Sequence, residues 1–106
     1  KGDTMNVATI ILQQLGGSRF NAMTGAKDHF ADGNALQFKL PNNFAKDGIN
    51  FVKIRLMPDD TYKMEFSKFT KKRYVWATWV IKEIDNVYND QLQSIFTEVT
   101  GLDTHL

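Results

Sequence analysis

Residues 51–84 alternate apolar and polar side chains through three runs with two short polar breaks. A period of two puts successive side chains on opposite faces, so this stretch is expected to form an antiparallel three-stranded meander. In residues 51–57, Val52, Ile54 and Leu56 share one face, and Lys53 and Arg55 the other. Pro58-Asp59-Asp60 makes the first hairpin. In residues 61–66, Tyr62, Met64 and Phe66 oppose Lys63 and Glu65. Residues 67–73, SKFTKKR, read as a basic connection that carries Phe69. Residues 74–83 form the third strand, which is apolar on both sides through Trp79. That pattern fits a central strand, or a strand whose outer face a partner covers.

Two further strands are expected before the meander. In residues 19–24, Phe20, Ala22 and Thr24 would point one way and Arg19, Asn21 and Met23 the other. Residues 27–34 read as a polar loop, with Asp32-Gly33-Asn34 as a turn. In residues 35–40, Leu36, Phe38 and Leu40 face inward until Pro41, which cannot donate to a strand ladder. Residues 41–50 hold turn formers around Phe44 and Ile49, which allow a short helical turn followed by a tight turn at Asp47-Gly48.

A helix is expected at each end. Asp3 or Thr4 can cap the first, whose apolar stripe runs Val7, Ile10, Ile11 and Gln14, widened by Ala8, Leu12 and Leu15, before Gly16-Gly17. Asp85 or Asn86 can cap the second, with Tyr88, Leu92, Ile95, Phe96 and Val99 on one stripe and Gly101 past its end. The fold class is therefore α+β: a single domain over residues 1–106, with a mostly antiparallel five-stranded sheet and the N- and C-terminal helices packed on one face. The expected order is α-β-β-β-β-β-α. Val52, Ile54, Leu56, Tyr62, Met64 and Phe66 should meet Leu92, Ile95, Phe96 and Val99 in the core.

Composition bounds the chemistry. Apolar residues at 42% against 24% charged give a folded rather than a disordered chain. The absence of cysteine excludes disulfides, a thiol nucleophile and Cys-ligated zinc, and fits a reducing cytoplasm. The apolar run 7–12, broken by Thr9, is too short for a membrane span or a signal-peptide core, so no membrane partner is expected. The chain begins at Lys1 rather than Met, so a leader before it is left open. Net charge is +1 but unevenly spread. Residues 50–83 hold eight basic residues against four acidic ones, a net of +4, while residues 84–106 hold four acidic residues and no Lys or Arg, a net of −4.

Three stretches carry a resemblance: ILQQLGGSRFNAMTGAK (residues 11–27), LQFKLPNNFAKDGINFVKIRL (36–56) and NDQLQSIFTEVTGL (89–102). In them the chain resembles a group of small uncharacterised proteins encoded on bacteriophages, prophages and other bacterial mobile elements. The resemblance spans most of the chain apart from the residues before Ile11 and the segment 57–84, which is more aromatic here. It implies a phage or mobile-element origin and the cytoplasm of a bacterial host. It brings no activity and no site residues.

Catalytic and cofactor motifs are weak. Met23-Thr24-Gly25-Ala26-Lys27 lacks the spacing of a phosphate loop, because Ala26 separates glycine from lysine and Asp28 follows. Asp28, His29 and Asp32 lie near one another in sequence, but short polar loops often carry such residues, and His105 stands alone near the end. Glu65 and Glu83 could sit on adjacent strands but read as solvent-facing. No enzyme activity, metal, cofactor or small-molecule substrate is expected. The expected function is that of a small accessory protein acting by protein binding or self-association, host-directed in a phage setting. Trp76, Trp79, Phe69 and Tyr74 are residue types that anchor interfaces. The alternative is DNA or RNA binding. Lys68, Lys71, Lys72 and Arg73 surround Phe69, with Tyr74 and Trp76 following, and Lys53 and Arg55 would extend that surface across an open sheet face. The candidate partner-binding residues are therefore Lys53, Arg55, Lys68, Phe69, Lys71, Lys72, Arg73, Tyr74 and Trp76.

Overall fold

The computed structural model describes residues 7–72 and 75–104, with Lys72 described by its backbone alone. The caps expected at Asp3 or Thr4 lie outside the described residues, as do Arg73, Tyr74 and His105. The fold is α+β, and its centre is one five-stranded antiparallel sheet with strands in sequential order. The strands are β1 Lys27–Asp32, β2 Ala35–Lys39, β3 Phe51–Leu56, β4 Tyr62–Lys72 and β5 Val75–Val87. The loop 40–50 therefore makes no crossover, because β2 and β3 pair directly. Two helices precede the sheet, α1 Val7–Leu15 and α2 Gly17–Thr24, and α3 Leu92–Thr100 follows it.

All three helices contribute to one core on one side of the sheet. Leu36, Phe38, Val52, Ile54, Tyr62, Met64 and Phe66 come from alternate strand positions and are buried against Ile11, Leu15, Phe20, Leu92 and Phe96. Leu56, Ile95 and Val99 are partly buried against the same cluster, close to the arrangement the alternation implies. Phe20 stands edge-on to Phe38 and Phe96, with ring centroids 5.4 and 5.0 Å apart, a geometry that favours aromatic pairs beyond simple burial.

The first predicted strand, residues 19–24, is instead helix α2. Phe20 and Thr24 stand four apart, so a helix buries both on one face as readily as a strand would. The Thr24 hydroxyl donates to the Phe20 carbonyl at 2.7 Å, a bond only the helical turn provides. Gly25 ends α2 at φ 75, where its N–H donates to the Asn21 carbonyl. An added Cβ there would stand 2.7 Å from Pro41 Cγ, so the close approach of loop 40–50 also requires glycine.

The segment expected as a polar loop, residues 27–34, supplies strand β1 in its place. Five of its six residues are exposed and the sixth is half-buried, so no apolar alternation marks it. Its hairpin with β2 turns at Gly33-Asn34, as the turn residues imply, with Asp32 opposite Ala35. The helix expected to start at Asp85 or Asn86 starts later. Both residues continue β5 and open a bulge opposite β4, with Asn86 at φ 59. The turn into α3 forms at Tyr88, whose N–H donates to Gln91 Oε1 at 2.9 Å.

The largest departure lies in the basic stretch. Residues 67–72 are strand, not a connection, and they carry β4 past the end of β3. β3 begins at Phe51, opposite Ser67, so beyond that pair β4 has β5 on one side and, among the described residues, no strand on the other. β5 is an edge strand, which rules out the central placement that its two apolar faces allowed.

Candidate functional site

Asn50 fixes the base of the projecting hairpin. It is 8% exposed, and its side chain bonds both main-chain groups of Phe69. Phe69 N–H donates to Asn50 Oδ1 at 2.7 Å, and Asn50 Nδ2 donates to the Phe69 carbonyl at 2.8 Å. Nδ2 also donates to Asn42 Oδ1 at 2.8 Å, tying in loop 40–50. The amide thus replaces the missing β3 residue with one donor and one acceptor. Strand alternation then turns the N–H and C=O of Lys71 in the same direction as those of Phe69.

Between this inner edge of β4 and loop 40–50 lies a cleft of about 590 Å³. Among the described residues, Lys27, Lys39, Lys68 and Lys71 line it, with Phe69, Asn42, Asn43 and a single carboxylate, Asp28. Asp28 stands 3.9 Å from Lys39 Nζ, and both side chains are about half exposed, so water screens most of that attraction. Beside the cleft, Phe69 and Trp76 stack with centroids 5.0 Å apart. Lys71 Nζ lies 4.6 Å from the Trp76 ring centroid, and Lys39 Nζ 5.6 Å from that of Phe69, both within cation–π range.

A one-residue bulge creates this face. Phe66 pairs with Lys82, but Ser67 pairs with Val80, so Ile81 is extra. An extra residue reverses the faces of everything beyond it. Trp76 thereby joins Phe69 and Lys71 on the face away from the helices, and Trp79 and Val75 turn to the other. Neither side is covered: Val75, Trp76, Trp79 and Val80 are each more than half exposed.

The expected basic surface divides in two. Lys68, Phe69, Lys71 and Trp76 come together at the cleft. Lys53 does not join them. It lies lower on the outer face, 3.4 Å from Asp32, which also accepts a bond from Gln37 Nε2 at 3.0 Å. Arg55 shares that region, opposite Lys63, with Glu65 paired to Glu83 one row away. Glu83 in turn takes Lys63 at 4.0 Å, so this lower patch is mixed in charge rather than basic. The side chain of Lys72 and all of Arg73 and Tyr74 lie outside the described residues. Lys27, Lys39 and Asn50 were not among the candidates. They come from strands and loops remote in sequence from residues 68–76, and only pairing across the sheet brings them there.

Among the described residues, no three or more His, Asp or Glu side chains gather as a metal site. No described helix is long and apolar enough to cross a membrane. No protein-family model, curated protein or solved structure matches the chain.

Proposed function

We propose that this protein is a small non-enzymatic binding module that self-associates by strand addition at the free edge of β5. The observation that carries this reading is the uncharged, largely exposed run from Val75 to Ile81, VWATWVI, on a sheet edge that no described strand pairs. Folded proteins blunt such edges with charge, bulges or cover. The opposite edge is blunted in this way: β1 carries Lys27 and Asp28, with Asp28 at φ 55 in an irregular register. The far half of β5 has Lys82, Glu83 and Asp85 and two irregularities. The segment from Val75 to Val80 has none of these devices.

A second copy fits this edge by register. Phe69 turns its main chain away from β5, so Thr78, its opposite residue, turns its own away from β4. Trp76, Thr78 and Val80 therefore present N–H and C=O groups to the free edge. An antiparallel pairing about Thr78 sets Trp76 against the second copy's Val80 and Ala77 against its Trp79. Aromatic and β-branched residues then face each other, large opposes small, and no like charges meet. The resemblance to phage and mobile-element proteins supplies a setting in which an accessory protein acts on its partners by binding, inside a bacterial host.

Sedimentation over a wide concentration range tests this. Wild type should shift from monomer to dimer. Thr78→Pro should remain monomeric and folded, because proline is tolerated where a strand N–H faces solvent. A wild-type chain that stays monomeric to millimolar concentration, or a Thr78→Pro chain that still dimerises, overturns the proposal. In the first case the edge would have to serve a different protein.

A further inference from the structure

We infer that the lysine-lined cleft beside β4 is a binding site for the backbone of single-stranded nucleic acid. This site is separate from the β5 edge: it lies on the other side of β4 and stays open when β5 is paired.

The charge is concentrated and available. Among the described residues, four lysines meet one carboxylate in the cleft, and that carboxylate leans on only one of them. Among the described residues no ion pair is found for Lys27, Lys68 or Lys71. Elsewhere on the same sheet face the lysines are matched, Lys53 by Asp32 and Lys63 by Glu83. With three of its four lysines unmatched, the cleft has room for an anion. The volume falls within the range of small-ligand sites.

The layout favours a chain of phosphates over a single one. Lys71 stands on the outer face of β4 and Lys68 on the helix side, so the cations rim the cleft from both sides of the sheet edge. Lys27 and Lys39 close it from β1 and β2. Cations spread around an open trough match the repeat of a phosphodiester backbone. Asn42 and Asn43 add amide donors, and the main chain of Lys71 faces the same space. The rings select the form of the polymer. Trp76 is 57% exposed and stacked on Phe69 at the margin of the cleft, with Lys71 Nζ over its ring, where an unpaired base can stack against its exposed part. A duplex keeps its bases stacked inside and offers none.

The experiment uses fluorescence anisotropy of a labelled oligothymidylate, with a duplex of equal length and inorganic polyphosphate as separate arms. A Trp79→Phe background leaves Trp76 as the sole tryptophan, since the chain has two. The expected result is salt-dependent binding of the single strand, weaker binding of the duplex, and quenching of Trp76 by the oligonucleotide but not by polyphosphate. Lys68→Gln with Lys71→Gln should lower the slope of log affinity against log salt by about 1.4, from two phosphate contacts at ~0.7 each. Lys53→Gln, outside the cleft, should leave the slope unchanged, and circular dichroism confirms that each variant is folded. Thr78→Pro should bind as wild type does, which separates failure of this site from failure of the β5 edge. Absence of salt-dependent binding, equal affinity for the duplex, quenching by polyphosphate, or an unchanged slope in the double lysine variant overturns the inference.

Discussion

Replacing Asn50 by Ala should show how much one side chain does for both the fold and the cleft. The substitution leaves the residue's own main-chain bonds in place: its N–H to the Ser67 carbonyl at 3.0 Å, and its carbonyl to Leu40 N–H at 2.8 Å. It removes three side-chain bonds, two to Phe69 and one to Asn42. At ~1 kcal/mol net for each, the loss is about 3 kcal/mol, and unsatisfied buried groups would raise it. The Phe69 groups border an open cleft, however, so water regains part of the bonding, and about 2–3 kcal/mol is expected. For a domain of this size that lowers the melting temperature by roughly 10 °C. Urea unfolding should show a lower midpoint with an unchanged slope, because the surface exposed on unfolding is the same. Amide exchange at Phe69 should accelerate more than that at Met64, since only the upper part of β4 loses its fixing point. A loss below about 0.5 kcal/mol would refute the reasoning, because that is the scale of an ordinary surface substitution. It would mean that β5 alone holds the projecting half of β4.

Two glycines separate strain from close approach. Gly33→Ala meets only open space at φ 59 and should cost about 1–2 kcal/mol, whereas Gly25→Ala adds an overlap with Pro41 and should cost more in the same urea titration. Equal losses would show that loop 40–50 moves aside freely. Tyr62 gives a pH-dependent prediction. Burial pushes its phenol above the ordinary value, the charge of Asp60 adds to the shift, and its hydroxyl donates to Gln14 Oε1 at 2.8 Å. A raised folded pKa contributes stability that is full below the unfolded value of about 10 and is lost as pH rises through the folded one. Wild type should therefore lose more stability between about pH 9 and 11 than Tyr62→Phe, and parallel losses would count against the burial of this phenol.

The parts of the fold that could be read locally are those whose side chains are sorted by burial. β3, the first half of β4 and the stripe of α3 each place apolar residues at the period of their own element, so periodicity identifies them. Pro41 and Asp32-Gly33-Asn34 act through backbone chemistry and are equally local. β1 has no such signal, because an exposed edge strand sorts nothing. Phe20 and Thr24 fit either period, and the helix prevails because it buries both, Phe20 against Phe38 and Phe96, while Gly16 and Gly25 let the chain turn at each end. The basic residues 67–72 suggested a connection, since lysine is common in loops. They are strand because β5 pairs with them residue for residue.

The candidate site divides along the same line. The sequence determined that Phe69, Trp76, Lys68 and Lys71 would be neighbours, since they lie within nine residues, in a basic stretch and the strand that follows it. It also determined that residues 75–81 would be uncharged, and apolar on both faces through Trp79. The tertiary structure decided that this strand lies at the edge, that Ile81 bulges and so sends Trp76 to the outer face, and that Lys27, Lys39 and Asn50 close a cleft against β4. The physical reason is the range of the interactions. Side-chain alternation is set by the dihedrals of each residue and its neighbours. Strand order, register and the free edge of β4 depend on where β3 starts relative to β4, a contact between residues sixteen apart in sequence, Phe51 and Ser67.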